Sequence, residues 1–121
     1  MIVKGEKMEI QDKIKLVINS ALDLKAFNLK SYDLRSLSTY ADFAILISAT
    51  SDRQVKSISD KIKWDMKKEE QVPLGVEGQQ LGEWILMDYD DLIVHIFQED
   101  QRFHYDLERF WEKLPHKSHS N

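Results

Sequence analysis

Three carboxylates within four residues, Asp88-Tyr89-Asp90-Asp91, are the part of this chain best suited to chemistry. On a strand, Asp88 and Asp90 would point to the same side, because side chains alternate with a period of two, and such a pair can hold a divalent metal through oxygen ligands. Metal-dependent nucleotidyl transfer uses pairs of this kind. The same residues also read as an acidic hairpin turn, a place where Asp is common. A phosphate-handling site further needs a cradle of backbone N–H groups or cations, and no Gly-rich loop leads into a helix here. Thr50-Ser51, ahead of a helix, is the one candidate anion site, and helix capping explains it more simply.

The histidines offer less. His95, His104, His116 and His119 contain no two-histidine helical pair with an acid beside it, so the spacing of a zinc site is missing. His95 falls inside an apolar run, where a hydrogen-bonded structural histidine is expected. There is no cysteine, hence no disulfide, thiolate ligand or thiol nucleophile, and no serine stands in a Gly-x-Ser-x-Gly elbow. Among the aromatics, Phe103 and Trp111 share helical spacing with Leu107 and Leu114 and are expected in the core. Trp84 and Tyr89 remain open between core and interface, since a partly exposed Trp or Tyr is a frequent binding anchor.

The hydropathy pattern supplies elements to position these residues. Ile10, Ile14, Val17, Ile18, Ala21 and Leu22 recur at three- and four-residue steps, which predicts a helix over residues 10–24 lying on a sheet. Mixed residues 32–37 precede the apolar run 43–47, the pattern of a central strand buried on both faces. Ser51 stands three residues before Gln54, a capping-box spacing, and opens a helix whose buried face carries Val55, Ile58, Ile62 and Met66. That helix fades in the charged residues 67–70 before Pro73, and Pro and Gly mark 73–78 as an ordered loop.

Strands over 84–89 and 92–97, joined by Asp90-Asp91, form an expected antiparallel hairpin. Within it Ile85 and Met87 alternate with Trp84, Leu86 and Asp88, giving one apolar and one mixed face. After Asp100 a final helix is expected to turn Phe103, Leu107, Phe110 or Trp111, and Leu114 inward until Pro115 stops it. The sum is one α/β domain over residues 8–115, a mixed β-sheet flanked by α-helices, followed by a disordered tail over 116–121.

Length and charge bound the function. A chain of 121 residues can bury roughly two-thirds of its unfolded surface around one core. Residues 1–9 interleave charge with isolated apolar side chains, unlike a signal peptide, and no apolar run approaches the roughly 20 residues that span a bilayer. A cytoplasmic protein without membrane contact is expected. A net charge of −4 disfavours direct nucleic-acid contact and suits a basic protein partner.

Asp42-Phe43-Ala44-Ile45-Leu46-Ile47-Ser48-Ala49-Thr50-Ser51-Asp52-Arg53-Gln54-Val55 resembles the strand-to-helix segment of the ribosomal silencing factors, the RsfS or Iojap-like family. Pro73-Leu74-Gly75-Val76-Glu77-Gly78, Gly82 through Tyr89, Val94-His95-Ile96-Phe97 and Tyr105 through Trp111 are similar to that family's signature in wording and spacing. The resemblance spans about residues 10–114. Two positions depart from it: Ala49 and Asp90 stand where the family usually has glycine, so the family's pattern does not supply the second carboxylate of the Asp88–Asp90 pair, which weakens the metal idea.

The resemblance implies a nucleotidyltransferase-like fold without that activity or any cofactor. It also implies a partner, large-subunit ribosomal protein number fourteen, and a mechanism in which the bound factor sterically keeps the small subunit away. Alternatives are a metal-dependent nucleotidyltransferase built on Asp88, Asp90 and Asp91, or an adaptor for large-subunit assembly, with a homodimer possible. Strand alternation puts Trp84, Leu86 and Asp88 on one face, and an Asp there argues against full burial. The expected partner surface is therefore Trp84, Asp88 and Tyr89, with Glu77 and Asp91 on its rim, and Tyr89 belongs only if the turn twists it outward.

Overall fold

A computed structural model of the chain describes residues 8–37 and 40–119. Helix α1, Ile10–Asp23, follows the predicted apolar stripe closely and buries Ile14, Val17, Ile18 and Ala21. It ends where the Leu24 and Ala26 N–H groups both fall on the Ala21 carbonyl and Lys25 takes a left-handed turn (φ 64°). Strand β1, Phe27–Asp33, a short 3-10 turn Arg35–Leu37 and strand β2, Phe43–Ala49, come next. Strand β1 thus begins ahead of the mixed residues 32–37 and ends within them. Its alternation is broken at Asn28 (φ 50°), where the pairing of β1 with β2 shifts register between Phe27 and Lys30.

Helix α2, Asp52–Lys68, starts at Ser51, whose hydroxyl accepts the Gln54 N–H at 3.1 Å. Half of the capping box is displaced. Gln54 Oε1 accepts from the backbone N–H of Thr50, not of Ser51, at 2.7 Å, and its Nε2 donates to the Leu24 carbonyl at 2.9 Å, tying α2 to the end of α1. Beyond α2 the predicted loop contains a short strand β3, Gly75–Glu77. Then come the hairpin strands β4, Trp84–Asp88, and β5, Leu92–Gln98.

Among the described residues, six strands form one sheet in the order β3-β4-β5-β2-β1-β6, with only the central β2–β5 pair parallel. Both central strands are largely buried on two faces, as the unbroken apolar run predicts for β2. One face lies under α1 and α2, where Ile45, Ile47, Ile85, Met87, Val94 and Ile96 meet Val17, Ile58 and Ile62. Each such side chain contributes roughly 1.5–3 kcal/mol on burial, so this layer dominates the stability. The other face holds a smaller cluster of Tyr32, Leu34, Ala44, Leu46 and Phe97.

That second face is covered by the C-terminal segment, which differs from the single helix expected. Helix α3, Glu99–Tyr105, stops at Asp106, a left-handed residue (φ 49°) whose N–H returns to the Arg102 carbonyl, and α4, Glu108–Trp111, starts afresh. The break resets the helical phase. Leu107, Trp111 and Leu114 pack on the sheet as expected, Trp111 taking the place left open between it and Phe110, which is 75% exposed, while Phe103, expected inward, is 88% exposed. Arg102 anchors the segment: buried, it donates from Nε to Glu108 at 2.9 Å and from a terminal nitrogen to Ser48 Oγ and the Asn28 carbonyl.

The tail expected to be disordered forms an edge strand, β6, His116–His119, antiparallel to β1. Its polar residues carry no core pattern, so main-chain pairing and local contacts hold it. The His116 ring lies 5.5 Å from that of Tyr32, and His119 Nε2 is 2.9 Å from Ser31 Oγ. Residues 120 and 121 lie outside the described residues.

Candidate functional site

Trp84, Leu86 and Asp88 share the sheet face opposite α1 and α2, as their alternation predicts, and all three are partly exposed. Cross-strand pairing completes this surface. Leu86 stands between Glu77 of β3 and His95 of β5, and Trp84 stands opposite Phe97. Of the C-terminal helices, α3 reaches Trp84, whose ring lies 4.6 Å from that of Tyr105 between centroids, while Leu86 is partly exposed and Glu77 exposed. From Trp84 outward to Glu77 the face is open.

Trp84 is a held residue. Its indole stacks on Phe97 at 4.9 Å and 24°, and its Nε1–H donates to Nδ1 of His95 at 3.0 Å. His95 is therefore the hydrogen-bonded histidine expected from its apolar strand, and burial pushes its imidazole down to about 4 from 6.5. Beside the indole opens a cleft of about 530 Å³ lined by Gly78, Gln79, Gln80, Leu81, Glu83, Trp84 and Tyr105. Gly78 is required there: a Cβ on it would sit 2.0 Å from the Trp84 carbonyl oxygen, and its φ of 87° suits only glycine.

The carboxylates divide between this surface and the framework. Glu77 is exposed and pairs with Leu86, and Asp88 is partly exposed at the other end of β4. Asp88 Oδ1 also accepts the Asp90 N–H at 2.8 Å, which closes the hairpin turn. Asp91 leaves the expected surface: its carboxylate lies 2.8 Å from Lys13 Nζ, on the side of α1. Tyr89 leaves it too. At 3% exposure it packs into the large core with α1, because a residue after Asp88 in strand register points to the helix-covered face. Its hydroxyl has no partner among the described residues, and burial pushes it up to about 12.

This arrangement also bears on the metal reading, since Asp88 serves the turn, Asp91 serves Lys13 and Asp90 stands exposed between them. Among the described residues no group of three or more His, Asp or Glu side chains is placed to hold a metal ion. What the surface offers is an apolar ledge, Trp84 and Leu86, with carboxylates of Glu77, Glu83 and Asp88 about it. Its apolar part offers area and its acids offer pairing to Lys or Arg.

Two members of this site carry no sequence signal that singles them out. Tyr105 reaches Trp84 only because α3 ends at Asp106, and the His95–Trp84 bond runs diagonally between strands and follows from no spacing rule. Among the described residues no helix is long and apolar enough to cross a membrane.

Comparison with known proteins gives a consistent answer. A sequence model of the family described as "Ribosomal silencing factor during starvation" matches residues 7–121. The ribosomal silencing factor RsfS of Halalkalibacterium halodurans is 30% identical over 109 residues, covering 89% of this chain and 92% of that protein. The protein of the same name from Chromobacterium violaceum is 33% identical over 104 residues, covering 86% and 85%. The chloroplastic protein Iojap of Zea mays is 30% identical across 76% of this chain, which spans 40% of that longer protein. Among solved structures, one from Chromobacterium violaceum superposes with a TM-score of 0.84 at 30% identity, covering 94% of this chain and 95% of that one.

Proposed function

The chain belongs to the ribosomal silencing factor family, and from that membership we propose that it binds the free large ribosomal subunit through ribosomal protein number fourteen and keeps the small subunit from joining. Translation falls as joined ribosomes become scarce, which suits a response to starvation in the cytoplasm. The mechanism is steric and assigns no bond-making step to the chain: a 14.3 kDa domain on the joining surface fills space that the small subunit needs.

The observation that carries this reading is the open half of the sheet, where a held Trp84 and Leu86 are rimmed by Glu77, Glu83 and Asp88. A basic protein complements that surface better than an RNA backbone does, because phosphates would be repelled by the same acids. The net charge of −4 acts in the same direction at longer range.

Sedimentation of the purified protein with isolated large and small subunits tests the proposal. Co-migration with the large subunit alone, together with fewer joined particles when both subunits are mixed, is the expected outcome. Co-migration with neither subunit, or with the small one, defeats it.

A further inference from the structure

Trp84 carries one polar group, the indole N–H, and the direction of that group decides what the residue offers a partner. Pointed outward, it needs an acceptor on the partner or is buried unmatched at a cost. Here it points inward, to Nδ1 of His95 at 3.0 Å. The ring is fixed from other sides by Phe97 at 4.9 Å and Tyr105 at 4.6 Å, so β5 and α3 together determine its pose.

The two members of the bond differ in exposure. His95 is 7% exposed, whereas Trp84 is only partly buried. The buried imidazole is held by the fold, with Phe97 and Trp111 rings 6.0 and 6.2 Å away, and the more exposed indole takes its orientation from it. Because Trp84 stands opposite Phe97 and His95 opposite Leu86, the bond crosses from β4 to β5 diagonally, within reach of long aromatic side chains. An acceptor at Nδ1 requires the neutral tautomer with its proton on Nε2.

We propose that His95 is a positioning residue for partner binding: by accepting the indole N–H it fixes the Trp84 ring so that hydrocarbon, with no unmatched donor, faces the partner. This rests on the reading of Trp84 as a binding anchor. His95 need not touch the partner. Its effect is preorganisation, since an indole already held in one rotamer loses little freedom when the complex forms.

Two substitutions separate the acceptor from the packing. His95→Phe keeps a ring on β5 and removes the acceptor, and His95→Asn restores a carbonyl oxygen close to the place of Nδ1. Three quantities are read on each variant: affinity for isolated large subunits, the melting temperature, and solvent exchange of the Trp84 indole N–H, whose resonance is assigned by its loss in Trp84→Phe. The expected result is about tenfold weaker binding and lost exchange protection in His95→Phe, with most of both regained in His95→Asn.

Lower melting temperatures with unchanged affinity of the folded protein would mean a merely structural histidine and overturn the proposal. Should His95→Phe fail to fold, the unmodified protein decides: a Trp84 indole N–H that exchanges as fast as that of exposed Trp64 overturns it, and marked protection supports it. Loss of the His95 role and loss of the Trp84 anchor give different results. Binding lost in Trp84→Ala but kept in His95→Phe removes the role of His95 alone, whereas binding kept in Trp84→Ala removes the anchor beneath it.

Discussion

Lys13 Nζ lies 2.8 Å from Asp91 Oδ1, joining residues 78 positions apart and fastening α1 to the β4–β5 turn. The two side chains are only 5% and 13% exposed, and Lys13 Nζ also lies 3.5 Å from the Tyr89 carbonyl oxygen. Removing one partner strands a buried charge, which costs more than the pair is worth. Asp91→Ala is expected to lower the unfolding free energy by about 3 kcal/mol in urea titration. The double change Lys13→Met with Asp91→Leu should recover most of that loss. A cost below about 1 kcal/mol for the single change would place the pair among solvent-exposed bridges instead.

Asp90 holds a φ of 74° in the same turn, a left-handed conformation that Asp tolerates and Gly adopts freely. Asp88 Oδ1 accepts its N–H, so the turn is maintained from outside the Asp90 side chain. Asp90→Gly should therefore stabilise the protein by about 0.5–1 kcal/mol, the relief of strain exceeding the added freedom of the unfolded chain. Thermal melts of the two proteins at one pH measure it, and a lower melting temperature in the variant contradicts the account.

His95 gives the stability a pH dependence of definite sign. Its folded pKa is lowered to about 4 from 6.5 by burial, so the unfolded chain takes up a proton first as pH falls. The stabilisation is complete above about pH 6.5 and is lost progressively down to about 4, amounting to roughly 3 kcal/mol for a shift of this size. Denaturant titrations at half-unit steps across that window should show the fall, and His95→Asn should flatten it. The acids Asp65 and Glu108, whose carboxyls are held down by Lys61 and Arg102 against burial, lose their contributions at lower pH.

Much of the frame was legible in the sequence because long periodic segments meet few competing demands. The stripes of α1 and α2 and the apolar runs of β2 and β5 are set by burial, and alternation put Trp84, Leu86 and Asp88 on one face, where the Asp argued against full burial. The errors fall where left-handed residues or main-chain pairing decide. Asn28 breaks the pattern of β1, the helix that stops at Asp106 leaves Phe103 outward, and β6 is held by hydrogen bonds that its polar side chains do not announce. Tyr89 shows a different limit: alternation pointed it inward, and its aromatic type pulled it wrongly into the expected interface.

The proposed binding surface is tested most cleanly at Glu77, because Trp84 also packs on Phe97 and Asp88 also caps the turn, so changing either disturbs more than binding. Trp84→Ala should weaken large-subunit binding by about 2 kcal/mol if it is a hot spot, with some loss of fold stability. Glu77→Lys lies on an exposed strand at the sheet edge and should leave the melt nearly unchanged. A reversed charge at the rim of an interface acts chiefly on the encounter, so the association rate should fall while dissociation stays close to that of the unmodified protein. The effect should shrink as salt screens the charge, and the affinity of the unmodified protein should decline only modestly over the same range. A steep decline, equivalent to many released counterions, would instead mean that RNA phosphate carries the binding and that the partner surface lies elsewhere on the domain.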